Sequence, residues 1–314
     1  MKCFLCKKQV YRVLTDELRD GTRRKVFYCI ACQLGMLSEN RSASELKKFY
    51  SKEYRTIGKP KLNQKSDAQE LFDIYVPFQA DRIRFLKPYL TKQARLLDIG
   101  CSSGMFLFHA KKYVKEVVGI DYDVAAAEFA AKKCRCRVYT EDIEKTDLPP
   151  KHFDIICLFQ TVEHIPNPHE LLTRLKMYLK PGGIIAIEVP NLHDALNYAY
   201  DLPLYHRFFF HASHLWYFTA HSMQKLMIQA GFKGEISYVQ DYNVMNHMYW
   251  LHHDKPQDNC IPGLSEAALP LRSELPMYTK TELARFIRAT DRSYKKELAR
   301  LGITSNLFYI GKVK

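Results

Sequence analysis

Two cysteine pairs constrain the amino-terminal end of this chain more tightly than any other feature: Cys3-Phe-Leu-Cys6 and, after 22 intervening residues, Cys29-Ile-Ala-Cys32. Each Cys-x2-Cys spacing suits a tight turn, and two such turns can offer four thiolates to one tetrahedral zinc ion. Between them lies a polar turn, Asp16 to Thr22, flanked by the strand-like segments QVYRVL and RKVFYC. A segment this short and polar has little core of its own. Metal binding in comparable modules contributes roughly 10–16 kcal/mol, so the ion would hold the fold together. With Cys3, Cys6, Cys29 and Cys32 all ligating, no position is left for a catalytic water, and a structural zinc ribbon is expected. Cys101, Cys134, Cys136, Cys157 and Cys260 lack ligand-like spacing and read as ordinary thiols.

The net charge of +13 sits mostly in the same region: residues 1–65 carry 16 Lys and Arg against 6 Asp and Glu. Four thiolates and a zinc ion would trim that local excess of +10 to about +8. A basic end of this kind can attract nucleic acid, an anionic surface or phosphorylated small molecules. The remainder is nearly neutral. A chain of 314 residues suggests about two domains, and 47% hydrophobic with 26% charged residues excludes a disordered chain. No apolar run approaches the roughly 20 residues of a membrane span. The opening MKCFLCKKQV has cysteines and lysines where a secretory signal needs an apolar stretch, so a reducing cytoplasm is the expected compartment.

The expected organisation is a ribbon over 1–40, a basic linker over 41–65 and a catalytic domain over 66–314. A helical stretch starts at Ser66 or Asp67, and Pro77 must kink or split it. From Ala94 onward short apolar runs (ARLLDIG, EVVGID, RVYTED, FDIICLFQ, GIIAIEVP) alternate with helical segments such as VAAAEFAAKK and PHELLTRLKMYL. This alternation marks an α/β fold with a mostly parallel sheet covered on both faces. Ligands in such folds bind beyond the carboxyl ends of the strands.

Three strand ends carry matching chemistry. The first ends in Asp98-Ile-Gly100-Cys101-Ser102-Ser-Gly104 and runs into a helix, so backbone N–H groups can approach a ligand closely. The second ends in Asp121, 21 residues after Gly100, where a carboxylate can accept both hydroxyls of a ribose. The third ends in Glu141-Asp142, suited to an adenine amino group. A dinucleotide fold wants glycines at offsets 0, 2 and 5, but here they stand at 0 and 4 with Met105 at offset 5.

The pattern instead resembles the class I S-adenosylmethionine (SAM)-dependent methyltransferases, with Ser102 at the middle glycine of their first motif. Phe159-Gln160 followed by Val162-Glu163-His164, and Leu179-Lys180-Pro181-Gly182-Gly183 before the fifth strand, extend the resemblance. It implies a Rossmann-like seven-stranded sheet whose last pair, EISYVQ and NLFYIGKV, is antiparallel, with a helical insertion at about 279–302. It implies that Asp98, Gly100, Cys101, Ser102 and Gly104 face the methionine part. Asp121, with Tyr122 beside it, would hold the ribose, and Asp142 and Ile143 the adenine. Phe159 and Gln160 would close the site. The cysteine pairs together with Ser44 to Tyr50 and Tyr54 resemble a bacterial subgroup with an N-terminal zinc ribbon, which includes sugar and other small-molecule methyltransferases.

Residues 201–221 (DLPLYHRFFFHASHLWYFTAH) hold seven aromatic residues and four histidines, and this stretch should overlie the strand ends. Aromatic rings can stack on an acceptor, and histidine can act as a base near neutral pH. His211, His214 and Tyr217 are the leading catalytic candidates, followed by His164. The expected activity is methyl transfer to a small-molecule acceptor, a carbohydrate or glycan precursor that could be anionic. RNA methylation, with the basic end gripping phosphates, is the alternative. A non-catalytic SAM-binding protein is the third.

Overall fold

The computed structural model describes residues 1–9, 12–38 and 66–314. The anticipated linker over 41–65 lies outside the described residues. Three short strands, β1 (Arg12–Thr15), β2 (Val26–Cys29) and β3 (Leu34–Leu37), form an antiparallel sheet at the amino-terminal end. A fourth strand, β9 (Trp216–Tyr217), joins it from the far side of the chain by pairing with β3. Gly35 permits this close approach, since a Cβ there would lie 2.9 Å from the Cβ of Tyr217.

The helical stretch after Ser66 is split as Pro77 requires. Helix α1 (Ala68–Tyr75) starts at Asp67, whose carboxylate accepts the N–H of Glu70, and a short 3-10 turn (Val76–Phe78) separates it from α2 (Ala80–Leu86). The main sheet then builds in order. Strands β4 (Arg95–Ile99), β5 (Glu116–Ile120) and β6 (Arg137–Tyr139) alternate with α3 (Met105–Ala110) and α4 (Val124–Cys134). Strand β7 (Phe153–Phe159) leads to α5 (Pro168–Leu175) and β8 (Leu179–Pro190). Within β8 the segment Lys180-Pro181-Gly182-Gly183 bulges out: Phe153 pairs with Leu179 but Ile155 with Ile184, so β8 carries three extra residues there. The irregularity is absorbed as a register shift against β7 between Phe153 and Ile155, with Gly182 in the left-handed region at φ +79.

After β8 come the short helices α6 (Ala195–Tyr198) and α7 (Pro203–Phe209), then β9 and α8 (Ala220–Gln229). Thr219 caps α8 by accepting from the N–H of Ser222 in a reciprocal capping box. Its apolar stripe, Met223, Leu226, Met227 and Ala230, is fully buried. Strand β10 (Phe232–Val239), α9 (Val244–His253), α10 (Ile261–Leu264), the long α11 (Met277–Leu301) and β11 (Asn306–Val313) complete the chain. The sheet order is β10-β11-β8-β7-β4-β5-β6, parallel except where β11 runs against both β8 and β10. One core on a face of this sheet is continuous with the small sheet: Leu5, Leu18, Val26 and Met36 pack in the same apolar cluster as Leu158, Trp216 and Met227.

Candidate functional site

A cavity of about 1540 Å³ opens beyond the carboxyl ends of β4, β5, β7 and β8. Its floor begins with the turn after β4. Gly100 (φ +77), Ser102 (φ +46) and Gly104 (φ +81) all take left-handed backbone conformations there. At Gly100 a Cβ would meet Thr161 Oγ1 at 2.2 Å, so only glycine fits. Gly104 serves packing instead: a Cβ would lie 2.9 Å from both Ala130 Cβ and Cys134 Sγ, and Gly104 is not among the cavity-lining residues.

Asp121 at the end of β5 ties the strand ends together. Its carboxylate accepts from the backbone N–H of Ser102 at 2.7 Å and of Asp123 at 2.9 Å. The Tyr122 hydroxyl donates to Asp142 Oδ1 at 2.7 Å. Asp98 is buried, and that burial pushes its carboxyl up to about 7, opposed by the nearby Arg82 and reinforced by Asp121. Asp98, Gly100, Cys101, Ser102, Asp121, Tyr122, Asp142, Ile143, Phe159 and Gln160 all border the one cavity. A left-handed turn at a helix start, a carboxylate on the neighbouring strand end and the buried apolar Ile143 fit a nucleoside carrying an amino acid, as in SAM.

Sequence reasoning missed a polar network on the other side of the cavity. Arg82 grips the Glu188 carboxylate with two hydrogen bonds, 3.1 Å from Nε and 2.6 Å from Nη2, and donates to Gln79 Oε1 at 3.0 Å. Its guanidinium also lies over the Phe159 ring at 4.7 Å. Gln160, with φ +51, donates to both Glu188 Oε1 and Asn306 Oδ1 at 3.0 Å. The one available signal was Glu188 itself, a carboxylate inside the apolar run GIIAIEVP.

The histidine candidates separate into distinct roles. His164, His211 and His214 border the cavity, whereas Tyr217 does not. Tyr217 is buried with its hydroxyl committed to the backbone of His211, accepting from the N–H and donating to the carbonyl, both at 3.0 Å. The tyrosine hydroxyl is therefore held by the His211 backbone, outside the cavity lining. His211 Nδ1 bonds Ser213 Oγ at 2.6 Å, and His164 Nδ1 bonds the Ser213 carbonyl at 2.7 Å. His214 sits between them, its ring centroid 3.6 Å from that of His211 and 4.8 Å from that of His164. Burial pushes His214 and His211 well below the usual imidazole range, and His164 down to about 4. All three are neutral near pH 7. Below them lies Glu163, 1% exposed, with neither carboxylate oxygen hydrogen-bonded and burial pushing its pKa up to about 8. The donor atoms of Glu163, His164 and His214 lie within 4.8 Å of one another, with Glu163 Oε1 3.8 Å from His164 Nε2.

At the amino-terminal end the sulfur atoms of Cys3, Cys6, Cys29 and Cys32 converge within 4.8 Å of one another, with Cys6 and Cys29 at 3.6 Å. Tetrahedral zinc with bonds of about 2.3 Å sets its sulfurs roughly 3.8 Å apart, so the four side chains fit that ion. The residue after each pair, Lys7 (φ +60) and Gln33 (φ +54), is left-handed, which folds each knuckle back on itself. Lys225 Nζ on α8 donates to Cys32 Sγ at 3.2 Å.

Several comparisons bear on these geometries. A family profile described as "Methyltransferase domain" matches residues 72–235, just over half of the chain. Over 102 residues the chain is 33% identical to the ubiquinone biosynthesis O-methyltransferase of Bradyrhizobium sp. (strain ORS 278), a match covering 31% of this chain and 40% of that protein. It is 34% identical over 99 residues to phosphoethanolamine N-methyltransferase 3 of Arabidopsis thaliana, covering 30% of this chain and 20% of the relative. The chain thus spans less than half the length of these curated relatives. Among solved structures, a SAM-dependent methyltransferase from Archaeoglobus fulgidus has the same fold, with TM-score 0.51 and 22% identity over 78% of this chain and 97% of the other. The strand order, the glycine turn and the matched profile lead to one conclusion: the chain belongs to the methyltransferase-domain family.

Proposed function

We propose that this chain catalyses SAM-dependent methyl transfer to a small-molecule acceptor, a carbohydrate or glycan precursor. The observation that carries the reading is the continuity of one cavity, from the Asp121 and Asp142 strand ends to the wall of Phe208, Phe209 and the three histidines. In this reading Asp121 holds the ribose, Asp142 and Ile143 the adenine, and the turn from Asp98 to Ser102 the amino-acid part. The cofactor, when bound, supplies an electrophilic methyl group on a sulfonium sulfur. The protein's contribution is mainly positioning in a pocket that excludes water, which can account for much of the acceleration of an in-line displacement.

We assign His214 as the base that accepts a proton from an acceptor hydroxyl. In support, its ring borders the cavity and has no side-chain hydrogen bond among the described residues. His211 and His164 flank it. Tyr205 and Phe209, both half-buried on the cavity wall, give aromatic surface against which a sugar ring can pack. The cysteine cluster is read as a structural zinc site, and five further cysteines outside any disulfide suit a reducing compartment. No helix among the described residues is long and apolar enough to cross a membrane.

The RNA alternative gains nothing from the cavity. At the cofactor end its strand ends carry the carboxylates of Asp121 and Asp142, an unfavourable setting for a polyanionic backbone there. Transfer from methyl-labelled SAM to a panel of sugars, sugar phosphates and nucleotide sugars, run beside total RNA, tests the assignment. Label entering a carbohydrate acceptor is expected. Label entering RNA alone would overturn it.

A further inference from the structure

One cavity residue has no part in holding SAM or in the base assignment, and it comes from the small amino-terminal sheet rather than the catalytic fold. Arg19 lies in the loop between β1 and β2 and borders the cavity. Its backbone N–H donates to the Phe210 carbonyl at 2.7 Å, and its Nε donates to the Phe208 carbonyl at 2.5 Å. The guanidinium carbon sits 3.6 Å from the centre of the Phe208 ring. The loop is clamped from both sides: Arg207 pairs with Glu17 at 3.3 Å, and His206 Nε2 bonds the Leu14 carbonyl at 3.1 Å. This arginine is therefore held in one place before any ligand arrives.

What it lacks is a counter-charge. The other two cations bordering the cavity are neutralised, Arg82 by Glu188 and Lys295 by Asp291 at 3.5 Å. Among the described residues Arg19 has no carboxylate partner, and neither Nη has a protein acceptor. Water reaches the side chain, yet protein crowds it closely enough that desolvation pushes its pKa down, with only tyrosines acting in the other direction. The side chain is exposed to solvent, so its unpaired terminal groups are open to an incoming anion. With Nε committed to Phe208, the two terminal Nη groups remain to chelate two oxygens of one planar or tetrahedral anion.

We propose that Arg19 is the docking cation for a phosphate or carboxylate group of the acceptor, delivered into the catalytic cavity by the cysteine-clustered sheet. This rests on the methyltransferase reading above and adds a substrate class to it. The small sheet then has a direct part in substrate selection, because its loop supplies a cavity cation that has no counter-charge among the described residues. It also explains why the basic end of the chain is built against the aromatic segment.

The test is calorimetric titration of inorganic phosphate and, separately, malonate into the full chain, with and without S-adenosylhomocysteine. Phosphate binding is expected to weaken at least about tenfold in Arg19→Gln and to be partly restored in Arg19→Lys. Arg12→Gln, altered outside the cavity, should bind as the unaltered protein does and so controls for general loss of charge. The preference between the two probes distinguishes a phosphorylated from a carboxylated acceptor. Equal phosphate and malonate binding by Arg19→Gln and the unaltered protein, or binding of neither anion by the unaltered protein, overturns the proposal. S-adenosylhomocysteine affinity is expected to be the same in all four proteins. Its loss from the unaltered protein would count against the methyltransferase reading, while the anion arm still reports on Arg19.

Discussion

Lys225 on helix α8 donates a hydrogen bond to Cys32 Sγ at 3.2 Å, joining the cysteine cluster to the main fold. It does not act alone: Thr219 Oγ1 donates to the Gln33 carbonyl at 3.0 Å, and Gln229 Nε2 to the Leu5 carbonyl at 3.1 Å. Metal analysis should find about one zinc per chain. Because these contacts tie the cluster to α8, chelation is expected to lower the melting temperature of the whole chain in a single transition. A metal-free protein that melts at the same temperature would refute the zinc assignment.

Gly100 offers a backbone test of the cofactor turn. Its φ of +77, and the 2.2 Å that would separate an added Cβ from Thr161 Oγ1, leave no room for a side chain. Gly100→Ala is expected to cost about 1–3 kcal/mol of stability and to weaken SAM binding. Thermal melts with and without SAM check both effects. A variant stabilised by SAM as strongly as the parent would show that this turn does not form the binding floor.

His214 and Tyr217 should fail in different ways. His214→Ala is expected to lower kcat by roughly 10²–10⁴ while leaving SAM affinity within a few-fold. Tyr217→Phe removes the hydroxyl that satisfies the His211 N–H and carbonyl, so its main effect should be on stability, about 1–3 kcal/mol. Steady-state kinetics beside denaturant melts separate the two. A large kcat loss in Tyr217→Phe with unchanged stability would move Tyr217 from a positioning to a catalytic role.

Glu163 makes a prediction about pH. Burial raises its folded-state pKa from an ordinary 4.5 to about 8. Between those values the folded chain keeps a proton that the unfolded chain releases, so stability is fully present below about pH 4.5 and declines as pH rises through about 8. Burial pushes Asp98, Asp194 and Asp241 up to about 7, and they tilt stability in the same direction. Glu163→Gln keeps the shape and removes its share of the slope. The variant is expected to melt close to the parent at pH 5 and above it at pH 8.5. Parallel curves at both pH values would show that Glu163 is not held neutral.

The alternation of strands and helices and the cysteine cluster were legible in local spacing, whereas the seven-stranded sheet with its antiparallel last pair came from the family resemblance. Alternating apolar runs specify strands, and Cys-x2-Cys specifies a knuckle. The acid at the end of β5 was legible because strand ends in such sheets face the ligand. What stayed hidden was contact between distant segments. The Arg82–Glu188 pair bridges 106 residues, and Arg19 meets Phe208 across 189. The pairing of β3 with β9 likewise depends on two residues whose strand character shows only beside Gly35. Tyr217 was singled out as an aromatic near histidines, and only its hydrogen bonds reveal that it faces the backbone.

SAM is expected to bind over the Asp121 strand end. Calorimetry with SAM on the unaltered chain and on Asp121→Ala tests it most directly. Asp121 also fastens the Ser102 and Asp123 N–H groups, so a melt of each protein must accompany the titration. Saturable binding by the unaltered chain and at least about a tenfold loss in a folded Asp121→Ala are the expected results. No heat of binding from the unaltered chain, or equal affinity in both, would contradict the claim.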